Sequence, residues 1–281
     1  MSFNPRQETA RKKVRSQDSQ QIYVGDRYQQ IYSWRGAINA MQELDIKNRC
    51  NITQSFRFGQ PIADVANNIL NHYLSADVEI KGFDKVNSSV ERVISPDAIL
   101  CRTNGALIGH VLGLLGEGES IAVAGGCKDL ISLLKGAKDL INGKETLQRE
   151  LALFKSWSDV VEYSESDTGA DLKLLVKLIK EHDVDSLISS LKEVDSNSEK
   201  NADIVLSTAH KSKGREWGSV ELADDFRTPK SNGFSDEEVN LLYVAATRAK
   251  NKLDITNCDA AKIALGLLTV DNKNKREWID D

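Results

Sequence analysis

Residues 237–250 read EEVNLLYVAATRAK, and the spread of apolar side chains along this run decides the fold. Val239, Leu241, Leu242, Tyr243, Val244, Ala245 and Ala246 cover most faces of a helix rather than one stripe. Such a helix belongs inside a protein, not on its surface. A strand pattern follows at 252–256, and short apolar runs bounded by Gly or polar residues recur at 98–101, 120–124, 204–206 and 219–222. Between these lie helical spacings. Ile62, Val65, Ala66, Ile69, Leu70 and Tyr73 define one over 60–74, and Leu107, Val111, Leu114 and Leu115 define the next. Strands alternating with helices predict an α/β fold with a parallel sheet. The alternation is interrupted after about residue 127 by amphipathic segments such as 172–182 and 187–194, which predict a block of helices. At the other end, 22–24 reads as a short strand stopped by Gly25-Asp26.

The bulk composition narrows the class. With 281 residues, 40% hydrophobic and 28% charged, the chain has the make-up of a globular protein. A net charge of −5 argues against a module that coats nucleic acid by bulk charge, but not against a local basic groove. The cysteines at 50, 101, 127 and 258 form no CxxC pair, so a zinc cluster or disulfide framework is not indicated, and no metal site is expected. Each reads as a small buried hydrophobe in a reduced compartment. No apolar run approaches the ~20 residues of a membrane span, and a cytoplasmic or, in a eukaryote, nuclear location is expected. Residues 1–21, polar and charged, read as a poorly ordered leader, and 271–281 as a charged tail.

Three segments carry chemistry. GDRYQQIYSWRGA at 25–37 follows the predicted strand end, where ligands of open α/β sheets bind. An amide such as Gln29 accepts from water and donates to phosphate. Trp34 beside Arg35 reads either as a stacking face with a phosphate clamp, the pair that holds single strands, or as a buried Trp with a solvated Arg. STAHKSKGREW at 207–217 sets hydroxyls, lysines and Gly together, a composition that suits phosphate approach. Its Glu216 is an acceptor suited to ribose hydroxyls. Arg248 in the 237–250 run and Arg57 in QSFRFG read either as surface cations or as guanidinium groups that stabilise charge on a transferring phosphoryl group.

Taken together and in order, these segments resemble the later motifs of superfamily 1 DNA helicases of the UvrD/Rep/PcrA type, and most of all the F-box DNA helicase branch. Residues 25–37 are similar to helicase motif III, TQSFRFGQPIADVANNIL at 53–70 to motif IV, and ILCRTN at 99–104 to the short segment after it. GESIAVAGGCKDLISLL at 118–134 resembles the strand, Gly-Gly and helix that follow. Residues 207–217 resemble motif V and 237–250 motif VI. The resemblance implies a RecA-like parallel sheet of the P-loop NTPase type, the second motor domain of a helicase, with an α-helical insertion. The boundaries it implies are 22–44 for a remnant of the first motor domain, 45–136 and 200–270 for the second, and 137–199 for the insertion. It implies that Gln29 senses the γ-phosphate of ATP, that Arg57 and Arg248 reach it from the second domain, and that Gly214 and Glu216 lie near the nucleotide sugar. Trp34, Arg35, Thr208 and His210 would contact single-stranded DNA. DNA repair and recombination are the settings it implies.

One half of the chemistry is not legible. A phosphate cradle reads G-x-x-x-x-G-K-[ST]. Gly143-Lys144 is followed by Glu145, and Gly125-Gly126-Cys127-Lys128 does not fit. No apolar strand ending in Asp-Glu precedes Gly25 to hold Mg²⁺. The expectation is therefore half of a helicase, to which another polypeptide would bring the P-loop, ATP and Mg²⁺. The second reading is a non-catalytic remnant that binds single-stranded DNA or protein.

Overall fold

The computed structural model describes residues 22–32, 48, 50–166, 168–229 and 234–269. Six strands form one sheet: β1 (Ser89–Val90), β2 (Ala98–Cys101), β3 (Ile121–Val123), β4 (Ile204–Thr208), β5 (Trp217–Leu222) and β6 (Ala249–Asp254). Their spatial order is β1-β6-β5-β2-β4-β3, and every pairing is parallel. This is the expected α/β, RecA-like architecture. Parallel strands covered on both faces read as continuous apolar runs, and β2, β3 and β4 are buried at every residue.

The two-residue period of a strand then sorts the core into two layers. Ala98, Leu100 and Val205 point to one face with Val220, Leu222 and Leu253, where they meet α1 (Gln60–Leu74), α7 (Asp236–Ala246) and α8 (Asp259–Ala264). Ile99, Cys101, Ile204 and Leu206 point to the other. That face is covered by α2 (Asn104–Glu117), α3 (Lys128–Ile141), α4 (Trp157–Ser164), α5 (Ala170–Glu181) and α6 (Val184–Asp195). The helical block predicted from the amphipathic runs is thus present, and Leu172, Leu175, Leu187 and Leu191 place it in the same cluster as β2, β3 and β4. Its helices begin where short polar side chains take up free N–H groups. Thr103 accepts from Ala106 and Asp183 from Ser186, and Ser156 forms a reciprocal box with Asp159.

The structure departs from the sequence reading in three places, at 22–24, at the end of the buried helix and at Cys50. Residues 22–24 form no strand and pair with no described strand, and Ile22 and Val24 are exposed. The buried helix ends at Ala246, not at Lys250. The Thr247 hydroxyl turns back on the carbonyls of Tyr243 and Val244 (2.9 and 3.0 Å), and the Arg248 N–H donates to Ala245 O. The Arg248 N–H thus bonds three residues back instead of four, the helix closes, and β6 starts at Ala249. Cys101, Cys127 and Cys258 are buried, while Cys50 is exposed. No helix among the described residues is long and apolar enough to cross a membrane.

A buried ion cluster joins the two layers. Arg102, at the end of β2, holds Glu238 of α7 through two nitrogens (Nη2 to Oε1 2.6 Å) and also reaches Asp171 in the first turn of α5. Asp225 accepts from the backbone N–H groups of Arg102 and Thr103, and Arg227 adds a second cation on Asp171. Burial alone would raise the Asp171 carboxyl, but Arg102 and Arg227 together hold it below its usual value. The Arg102 side chain is 8% exposed and Glu238 13%, so removing the cation strands a desolvated carboxylate. Arg102→Ala should lower stability by about 3 kcal/mol in urea unfolding at neutral pH. The difference from the parent chain should shrink as pH falls through the lowered Asp171 value, below ~3.9, because its carboxylate then needs no partner.

Candidate functional site

Arg57 follows a short bridge between Gln54 and Lys81, and its direction is set by the glycine two residues on. Gly59 passes so close to Val86 that a Cβ would sit 2.3 Å from the Val86 carbonyl oxygen. Only a residue without a side chain permits that approach. Pro61 then opens α1. Held there, the Arg57 guanidinium donates from Nε to Glu216 Oε2 (2.9 Å) and from Nη1 to the carbonyl of Thr247 (3.0 Å). Lys250, the second residue of β6, stands 3.7 Å from the other Glu216 oxygen. These groups, with Ser55, Phe56, Val86 and Asn251, line an open cleft of about 660 Å³.

Arg248 lies behind this cleft and is 2% exposed. Its Nε donates to Val244 O (2.8 Å), Nη2 to the Thr247 hydroxyl (3.0 Å) and Nη1 to Arg215 O (3.3 Å). The guanidinium is folded onto the carboxyl end of α7, where unpaired carbonyls and the helix dipole favour a cation. Burial, and then repulsion from Arg57, pull it down to about 10, which leaves it charged at neutral pH. The hydrogen bond from Arg57, and secondarily Lys250, hold the Glu216 carboxyl below its usual range.

Gln29 sits in a 3₁₀ turn, Arg27–Gln29, that starts at Asp26. The Asp26 carboxylate takes the N–H of Tyr28 (2.9 Å), the side-chain amide nitrogen of Gln29 (3.0 Å) and the hydroxyl of Tyr243 on α7 (2.9 Å). A carboxylate only accepts, so one N–H of the Gln29 amide is committed to Asp26, which orients the side chain. Burial and the Asp26 charge push the Tyr243 phenol well up, so it remains a donor. Lys213 closes the turn by donating to Gln29 O (2.5 Å). Burial lowers its ammonium group, and the nearby Arg248 charge acts in the same direction.

Thr208 ends β4 and is buried, with its hydroxyl 3.3 Å from the Lys211 N–H. His210 accepts the Tyr32 hydroxyl on its carbonyl oxygen (3.0 Å), and the two rings lie 6.0 Å apart. Gly214, at φ +89°, makes the left-handed turn that leads to Glu216. Arg57, Glu216 and Arg248 are therefore brought together, and Gln29 joins them through Asp26 and Tyr243. Thr208 and His210 lie elsewhere. With all strands parallel, Thr208 marks the carboxyl edge of the sheet and Glu216 the amino edge. The register separates them by about 20 Å along the strands, at ~3.3 Å per residue. Trp34 and Arg35 fall outside the described residues. No group of three or more His, Cys, Asp or Glu among the described residues is disposed to hold a metal ion.

The sequence that carries these groups has counterparts among known proteins. Residues 12–260 match the sequence profile of the UvrD-like helicase C-terminal domain. The chain belongs to that family. It is a helicase C-terminal domain, homologous to DNA helicases over most of its length. F-box DNA helicase protein 1 of Schizosaccharomyces pombe is 31% identical over 295 positions, which cover 89% of this chain and 33% of the yeast protein. F-box DNA helicase 1 of Gallus gallus is 28% identical over 85% of this chain and 27% of its own length. The domain thus spans a third or less of these curated relatives.

Sequence reasoning missed four residues of the helicase domain's cleft and its support. Phe56 has the composition of a core residue yet is 70% exposed at the cleft, packed edge-on to Phe83. Lys250 was hidden by the prediction that the helix ran through it. Asp26 and Tyr243 look like a turn residue and a core aromatic until the fold pairs them. Tyr243→Phe removes only the hydroxyl that joins α7 to Asp26. It should cost about 1–2 kcal/mol and speed amide exchange at Tyr28 and Gln29, measured by hydrogen–deuterium exchange.

Proposed function

We propose that this domain is the responding half of an ATP-dependent DNA helicase, contributing charge sensors to a nucleotide held by a P-loop on another domain or polypeptide. The observation that carries the reading is the convergence of Arg57, Glu216 and Lys250 on one cleft with Arg248 directly behind it. A guanidinium held by a helix end is the group that stabilises charge spread over a transferring phosphoryl group. ATP would supply the phosphoanhydride, and Mg²⁺ would come with the cradle that holds it. Arg57 and Arg248 would then meet the γ-phosphate, and the Gln29 amide would accept from a water beside it. Phe56 offers an apolar face for the base and Glu216 an acceptor for the ribose.

In this reading 22–44 is a remnant of the first motor domain, 45–136 and 200–270 form the second, and 137–199 is the insertion. Trp34, Arg35, Thr208 and His210 would contact single-stranded DNA, and Gly214 would let the backbone approach the nucleotide. The setting would be cytoplasmic, or nuclear in a eukaryote. Support for a DNA substrate comes from the relatives, which are named DNA helicases. The alternative, a non-catalytic module that binds DNA or protein, is favoured by one observation: none of the 281 residues forms a P-loop.

The purified chain should show no DNA-stimulated ATPase, because positioning and electrostatics act only on a bound phosphate. Adding a P-loop-bearing first motor domain from an F-box helicase relative should restore turnover, and Arg248→Ala should lower it by ~10³-fold. Restored turnover that is indifferent to Arg248→Ala would sink the sensor assignment. No restoration at all favours the non-catalytic module.

A further inference from the structure

Resting on the nucleotide reading of the cleft, we propose that Glu216 is a built-in stand-in for phosphate. Its carboxylate bridges Arg57 and Lys250, is exchanged for phosphate oxygens when a polyphosphate enters, and is then free to accept from a ribose. Lys250 becomes a third cation of the site. The geometry is that of a bridging anion. One oxygen takes the Arg57 Nε at 2.9 Å, and the other faces the Lys250 Nζ at 3.7 Å. Carboxylate and phosphate present the same pair of acceptor oxygens to a guanidinium, so one replaces the other without rebuilding the cation frame.

The surroundings favour exchange over a fixed tie. Arg57 keeps its Nη1 bond to Thr247 O, so it stays in place when the Nε partner changes. Arg57, Lys250 and Glu216 side chains are 32%, 41% and 47% exposed, whereas the Arg102–Glu238 pair is 8% and 13% exposed. Exposed pairs are weak and readily traded, and desolvated ones are not. Charge also favours an incoming anion. Four cations, Arg57, Lys213, Arg248 and Lys250, are grouped with two carboxylates, Asp26 and Glu216, and Asp26 is already engaged by Tyr28, Gln29 and Tyr243. The bridging carboxylate therefore also explains how the cleft tolerates its own like charges.

Binding of inorganic tripolyphosphate and of Mg²⁺-free ATP to the full chain tests this, read by ³¹P NMR titration with folding checked by circular dichroism. Glu216→Gln should bind tripolyphosphate about two- to five-fold more tightly, the span available from an exposed ion pair. For ATP the gain should be smaller, since the amide is a poorer acceptor for the ribose. Lys250→Met should weaken both ligands by a similar factor, and Arg57→Ala should weaken both most. If Arg57→Ala weakens binding but Glu216→Gln does not tighten tripolyphosphate, exchange is wrong and the cleft reading stands. If Lys250→Met leaves both ligands unchanged, Lys250 is not part of the site. Binding indifferent to Arg57→Ala, or no binding by the parent chain, overturns the cleft reading and the exchange with it.

Discussion

A buried guanidinium must have its N–H groups met by acceptors, and this requirement organises the molecule around Arg248. The acceptors come from three places: the last turn of α7, the Thr247 hydroxyl and the backbone of Arg215 before β5. Satisfying them ends the helix, starts β6 and fixes the loop from β4. Arg57 adds a second guanidinium on the same helix end through Thr247 O. Two like charges this close need a counter-charge, and Glu216 provides it. Helix end, strand start and charge balance are thus one arrangement seen from three sides.

The parallel sheet was legible because burial on both faces writes itself as short apolar runs, as at 98–101 and 204–206. Residues 22–24 carry the same kind of run but pair with none of the described strands, since apolar character specifies a wish to be buried and not the neighbour that buries it. The end of α7 was illegible for a different reason. Ala-Ala-Thr-Arg-Ala-Lys has good helix propensity, and the bonds that override it combine carbonyls of the last helical turn with the distant Arg215 O.

The candidate site shows the same division. Arg57, Glu216 and Arg248 were recognisable as a set through motif resemblance, and the fold brings them together from 57, 216 and 248. Their supporting groups were not recognisable. Asp26 and Tyr243 are 217 residues apart, and a hydrogen bond over that separation leaves no local pattern. Phe56 and Lys250 required knowing which way the backbone turns at Gly59 and at Ala246. Local chemistry shows in a sequence, and the direction in which it is aimed does not.

The connection from β4 to β5 has a consequence for how this chain can vary. It leaves the carboxyl edge of the sheet at Thr208 and must reach the amino edge at Trp217, because the strands are parallel. Its eight intervening residues, 209–216, can span at most ~3.3–3.6 Å each, against a sheet height of about 20 Å. Part of that length is already taken by the turn at Ser212, whose N–H bonds back to Thr208. Surface loops usually drift in length between relatives, but this one has almost no slack to lose. A deletion there would act like shortening a tie rod, pulling the two edges of the sheet out of step.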